Sequence, residues 1–380
     1  MTTLIQPPSK EPTTNAEIEL LLCCVRTCIT PQTAEQIKTL VQQNINWTDL
    51  MQTAALQGVI PLLYQTLNTT CPEDVPKTIL AQLRSQFHAN ALRNLLLTQE
   101  LLTLLALFNK YDICAIPFKG PVLAVEAYGN LALRQFGDLD ILVRKQDYTK
   151  AKELLITQGY CMLHDSQHEA KYLQAQLCHS QRQVSVDLHY GIPPWELELE
   201  TAGFWENLQP VSLTSTTILT LSPEDHLLIL CINGHKVFWR HLGDICNVAA
   251  MICTHPEMNW QRIIEQAQRL RIKRILYVAL VLASDVLKIP LPEEILSTVK
   301  TAPFIRWLAI KLHENCLFKT EDFNHYSSSD PRFNLTIGLY NLLISKYKYK
   351  NVFNWLRLTR LIRKYGFAYL KYMFKQLHQT

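Results

Sequence analysis

Arg134-Gln135-Phe136-Gly137-Asp138-Leu139-Asp140-Ile141-Leu142-Val143 begins polar and ends in an apolar, branched run, and one helix length before it stands Phe118-Lys119-Gly120. In a strand, side chains two apart share a face. Asp138 and Asp140 therefore aim together at solvent or a cleft, while Leu139, Ile141 and Val143 bury the opposite face. Two like charges side by side repel, and little stabilises the pair except a cation. Oxygen ligands joined by triphosphate oxygens around a hard divalent ion are the usual way to hold magnesium. The pattern points to metal-dependent nucleotide chemistry.

Outward from this stretch, Ile113-Cys114-Ala115-Ile116-Pro117-Phe118 reads as a short strand stopped by Lys119-Gly120-Pro121. Val122 to Tyr128 reads as a helix ended by Gly129-Asn130, Gly137 to Val143 as the second strand, and Tyr148 to Gln158 as a helix stopped by Gly159. Val184 to Tyr190 is a third strand, with Val184, Val186 and Leu188 facing the core, Ser185, Asp187 and His189 on the other side, and Gly191 and Pro193-Pro194 closing it. Upstream, apolar residues recur at helical spacing from Ala16 to about Leu67, with Thr48 as an expected N-cap, and a longer helix runs from about Pro76 to Lys110. Downstream, Ser222 as N-cap and Pro223 at the first helical position open a second helical region. Glu224 to Ile252 forms one long helix or two, with further helices over Trp260–Leu287 and Glu293–Leu312 and a loop over Phe323–Arg332. The expected class is α+β, a small mixed-sheet core flanked by N- and C-terminal helical regions. Its expected segments are a disordered tail (1–15), a helical region (16–112), the α/β core (113–210), a second helical region (211–330) and a basic aromatic helical tail (331–380).

A chain of 380 residues, nearly half of them apolar, has ample length for a real core. The polar, proline-bearing start is no secretory signal, and apolar runs such as Ile275–Ala283 and Leu335–Ile344 are too short to span a bilayer. Eleven cysteines without a C-x-x-C pair, three of them (Cys23, Cys24, Cys28) on one apparent helix, fit free thiols in a reducing cytosol. The net charge of +4 hides an asymmetry, because no acidic residue follows Asp330 while ten Lys or Arg do. Lys346 to Lys375 interleaves this charge with aromatic residues. Such a segment suits an anionic membrane surface, a nucleic acid, or packing on the acidic remainder of the chain.

The strand with a glycine turn, the helix, the Asp-x-Asp strand and the later strand bearing Asp187 together resemble the nucleotidyltransferase superfamily that includes DNA polymerase beta and the aminoglycoside nucleotidyltransferases. Within it, residues 118–155 look like an uncharacterised bacterial nucleotidyltransferase family, whose signature is Lys-Gly followed by Arg-x-x-x-Asp-x-Asp-x-Leu-Val. Further segments match at 47–67, 186–190 and 221–252, so the resemblance covers roughly Trp47 to Ile252. It implies a nucleotidyltransferase core in which Asp138, Asp140 and Asp187 bind two magnesium ions, with manganese as a substitute, and Asp187 accepts the proton of an attacking hydroxyl. It also implies that Lys119, Gly120 and Arg134 steady the triphosphate of a nucleotide such as ATP. Where the wider superfamily carries Gly-Ser at the phosphate turn, this chain has Lys119-Gly120-Pro121, so a seryl contact is absent.

The implied reaction moves a nucleoside monophosphate from the triphosphate to a hydroxyl of a small-molecule, protein or RNA acceptor and releases pyrophosphate. Two other readings stand beside it: a nucleotide-binding or interaction protein without turnover, and an RNA-directed transferase using the basic tail. The implied location is cytoplasmic, with 346–375 as a route to the membrane periphery. Individual residues carry plainer alternatives. Asp187 suits a structural ion pair, Gly120 a bare turn, Lys119 a solvated cation, and Arg134 the orientation of Asp138 or a helix cap. His189 shares a face with Asp187 and lines a cleft or fills a structural role. His235, Lys236, Trp239, Arg240 and Asp244 fall near one helical stripe. His164 and His168, although four apart, lack the context of a zinc motif.

Overall fold

The computed structural model describes residues 15–26, 28–192, 203–300, 302–315 and 317–318. The expected tail before Asn15, the stop at Pro193-Pro194, the loop at 323–332 and the basic segment 331–380 lie outside the described residues. The fold is α+β, a small mixed sheet flanked by N- and C-terminal helical regions. The chain divides into two compact units, Met1–Ser222 with Cys253–His255, and Pro223–Ile252 with Pro256–Thr380.

In the first unit, helices α1 (Asn15–Cys24), α2 (Pro31–Val41), α3 (Trp47–Leu56), α4 (Ile60–Thr70) and α5 (Lys77–Lys110) precede the sheet. Thr30 caps α2 by accepting from the Thr33 amide at 3.1 Å. The cap of α3 is Asn46 rather than Thr48, because its amide oxygen already accepts the Asp49 N–H and Thr48 falls inside the first turn. Cys28 lies beyond the end of α1, so only Cys23 and Cys24 share that helix. Helix α5 is long and apolar enough, by length and composition, to cross a membrane. One of its faces, with Leu97, Leu101, Leu104 and Phe108, is buried in the core beneath the sheet.

Strands β1 (Ala115–Phe118), β2 (Asp138–Val143), β3 (Cys161–Met162), β4 (Gln174–His179) and β5 (Val184–His189) form one sheet in the order β1-β2-β5-β4-β3. Only the central β2–β5 pair is parallel. Helix α6 (Gly120–Tyr128) and a single 3-10 turn (Leu131–Leu133) link β1 to β2, while α7 (Tyr148–Thr157) and α8 (Ser166–Tyr172) fall between β2 and β4. Strand alternation divides the sheet cleanly. Leu139, Ile141 and Val143 of β2 join Val184, Val186 and Leu188 of β5 and Ala175 and Leu177 of β4 in the core, with Tyr148, Ala151 and Leu155 of α7. The opposite face carries Asp138, Asp140, Asp187 and His189.

A hairpin follows, β6 (Gln209–Leu213) and β7 (Thr216–Thr220), closed by Thr214-Ser215 and tied to β1 where the Thr220 hydroxyl donates to the Pro117 carbonyl at 2.8 Å. The second unit is helical: α9 (Pro223–Lys236), α10 (Leu242–Thr254, whose last two residues group with the first unit), α11 (Trp260–Arg269), α12 (Lys273–Leu287), α13 (Glu293–Lys300) and α14 (Pro303–Asn315). Glu224–Ile252 is thus two helices. Phe238 and Trp239 both take positive φ between them, and Trp239 is buried against Gly234, where any Cβ would strike its ring. The five residues read as a helical stripe therefore divide among α9, this turn and α10.

Two asparagines on α5 set the path into β2. The Asn94 amide donates to the carbonyls of Leu131 and Arg134 at 2.6 and 2.8 Å, and the Asn90 amide to Ala132 and Arg134 at 2.9 and 3.2 Å. Asn94 is fully buried. Asn94→Ala strands buried carbonyls and opens a void, so it is expected to cost about 2–3 kcal/mol. Urea unfolding followed by circular dichroism checks this, with Asn90→Ala, at a half-buried position, costing less.

Candidate functional site

The register of the sheet assembles the site. Asp140 pairs directly with Phe118 on one side and Asp187 on the other, and Asp187 pairs in turn with Gln176. Directly paired residues point to the same face, so the two carboxylates stand side by side in adjacent strands. Asp138 lies two residues earlier on that face, at the mouth of β2. His189, two residues after Asp187, completes the group. Ligand atoms of Asp140, Asp187 and His189 all lie within 4.8 Å of one another, a set that could hold one divalent cation.

Asp140 is 6 % exposed, and its Oδ1 accepts from two donors: Lys119 Nζ at 2.9 Å and His189 Nε2 at 3.2 Å. Burial alone would raise the pKa of Asp140, but Lys119 and then His189 outweigh it and hold the carboxyl well below the usual range. Burial likewise opposes the charge on Lys119, yet Asp140, with Asp138 and Asp187 behind it, raises the pKa of the ammonium. Asp138 has the reverse balance. Its burial and the neighbouring Asp140 and Asp187 charges push it up to about 6, against weaker help from Lys119 and Arg134. His189 Nδ1 is buried without a hydrogen-bond partner. Its Nε2 donates to Asp140, since an ionised carboxylate can only accept, and the ring packs edge-on against Phe118 with ring centroids 5.1 Å apart.

Asp187 is held from the neighbouring strand. The Gln174 amide donates to its Oδ2 at 2.8 Å, and the Gln176 amide reaches both oxygens at 3.2–3.3 Å. Neither glutamine stood out in the sequence, although their alternation with Ala175 and Leu177 is a strand signal.

The turn after β1 is strained. Lys119 takes φ 57° and ψ −148°, close to a region that only glycine visits freely, at a cost of about 1–3 kcal/mol. Gly120 follows with φ 44°. A Cβ on Gly120 would meet the Asp138 carbonyl only at 3.5 Å, so its glycine answers to conformation more than to space. Arg134 steadies this turn by donating to the Gly120 carbonyl at 3.3 Å. The six residues singled out in the sequence thus gather around one sheet face. His164 and His168 stack on each other, ring centroids 4.0 Å apart, outside the carboxylate group.

The residues fit a divalent ion. Hard oxygen donors converge, and the Lys119 ammonium already stands on Asp140 as a cation would. A model of the uncharacterised nucleotidyltransferase family matches residues 43–288, and the chain belongs to that family. No curated protein matches the chain.

Crowded carboxylates carry a measurable cost. Asp138 binds its proton more tightly in the folded protein than in the unfolded chain, so stability falls as pH rises from about 4 to about 6. Asp138→Asn removes that penalty. In chelator at pH 8 it is expected to unfold with about 1–3 kcal/mol more stability than the native protein. The difference vanishes near pH 4, and paired denaturant titrations at the two pH values measure it.

Proposed function

We propose that this family member is a magnesium-dependent nucleotidyltransferase that moves a nucleoside monophosphate from a nucleoside triphosphate to an acceptor hydroxyl. The observation that carries this reading is the register match of Asp140 with Asp187, with Asp138 on the same face. Asp138, Asp140 and Asp187 would hold two ions between them. Bound there, magnesium neutralises the triphosphate and eases departure of pyrophosphate.

The chain's own residues supply the rest. Asp187, oriented by Gln174 and Gln176, accepts the proton of the acceptor hydroxyl. The freed oxygen bonds to the α-phosphorus as the bond to pyrophosphate breaks. His189 fixes Asp140 by donating from Nε2. At the start of α6 the Gly120 and Val122 N–H groups and the positive end of the helix dipole would meet phosphate oxygens, since Pro121 has no N–H and that of Leu123 is bonded to the Lys119 carbonyl. Arg134 is suited to the same oxygens by its charge and fork geometry. A small molecule, a protein side chain or an RNA end each offers a hydroxyl of the required kind.

Calorimetry with each of the four nucleoside triphosphates, with and without magnesium, tests the reading. Magnesium-dependent binding of at least one is expected, weakened tenfold or more, about 1.4 kcal/mol, by Asp140→Asn or Asp187→Asn. Transfer of an α-labelled nucleotide to an acceptor should vanish in both variants. Tight binding in the native protein with no transfer to any acceptor would instead favour a nucleotide-binding protein without turnover. No magnesium-dependent binding would sink the proposal.

A further inference from the structure

The site is already occupied by a cation of the chain's own making. Lys119 Nζ sits 2.9 Å from Asp140 Oδ1, with its side chain 15 % exposed and the carboxylate 6 %. That oxygen also accepts from His189, so both of its hydrogen-bonding directions are filled. The two donors are not equally removable. His189 is 4 % exposed and fixed on a central strand against Phe118, whereas Lys119 reaches in from a turn on a four-carbon stem. A dication arriving on Asp140 while the ammonium stays would crowd two positive centres onto one carboxylate.

We propose that Lys119 is an internal counter-ion that keeps free divalent metal out of the site and yields its place only when metal arrives with a nucleoside triphosphate. The inference rests on the metal-site reading above and adds an order to it. A bare metal ion offers Lys119 nothing in exchange for Asp140, and expelling a half-buried ammonium toward solvent forfeits a charge-assisted hydrogen bond. A metal-bound triphosphate brings its own anionic oxygens, which give the released ammonium a new partner beside the first turn of α6. One side chain thereby has two positions, on Asp140 without nucleotide and on phosphate with it.

The backbone supports this assignment. Glycine would adopt φ 57°, ψ −148° without strain, and the next residue in the turn is a glycine. A lysine at the strained position is explained by its side chain, since the turn itself needs none.

Manganese binding, read from loss of the free-ion paramagnetic resonance signal, tests the proposal without requiring turnover. Lys119→Met removes the charge at similar length, and Lys119→Gly removes it while relieving the backbone, so a folding defect in one does not disable the test. Without nucleotide, both variants are expected to bind manganese at least about tenfold more tightly than the native protein. With manganese present, both should bind the triphosphate at least about tenfold more weakly, because the released ammonium is missing. Equal or weaker manganese affinity in the variants overturns the counter-ion role and leaves the metal site standing. Manganese binding by none of the three proteins, with or without triphosphate, overturns both readings together.

Discussion

The repulsion between carboxylates that the sheet places on one face is the constraint around which this unit is organised. Asp140 and Asp187 are paired in adjacent parallel strands, with Asp138 at the edge of the same row. Nothing in strand geometry relieves that repulsion, since the register that packs Leu139, Ile141, Val186 and Leu188 into the core forces the intervening side chains together. Sliding β5 by one residue would separate the charges but turn its apolar face outward. The core thus holds the charges in place, and the charges must find cations.

The arrangement around them follows from that demand. Lys119 and His189 converge on Asp140, while two neutral amides from β4 hold Asp187 without cancelling its charge. Asp140 is therefore well compensated and Asp138 poorly, which explains why neighbouring carboxylates on one strand are pushed to opposite sides of their ordinary range. Support for the geometry comes from further away: Asn90 and Asn94 on α5 pin the carbonyls of Leu131, Ala132 and Arg134, so β2 starts at a defined place.

Much of this was legible in the residues. The branched alternation of 138–143 and 184–189 named both central strands, and Gly129 and Gly159 marked helix ends, because local conformation there agrees with the core pattern. Strand β4 escaped for a physical reason. Gln174 and Gln176 keep the period-two alternation with Ala175 and Leu177, but they are polar because they serve Asp187, and without β-branched residues beside them the short alternation stays faint. The Thr-rich hairpin 209–220 was equally quiet, although Val211, Thr216, Thr217 and Ile218 are β-branched around a two-residue turn. His189 was seen on the right face, but its grip on Asp140 depends on a diagonal contact across strands that spacing alone does not encode. Asn94 carried an overlooked signal, since an asparagine in a helix interior gives up helical preference and calls for a partner.

The departure at the Lys119-Gly120 turn acquires a meaning from the same charge balance. A glycine–serine turn offers a hydroxyl to phosphate and leaves the carboxylates to their ions alone. Here the lysine stands before the glycine, in a strained conformation, and its ammonium goes to Asp140. A solvated surface lysine would have no reason to tolerate that backbone, and a mere turn would be better made by two glycines. The strain is offset by the ion pair, which sets a cation against carboxylates crowded on one face. The residue that departs from the superfamily pattern is therefore the one whose charge offsets the carboxylates gathered on this sheet face.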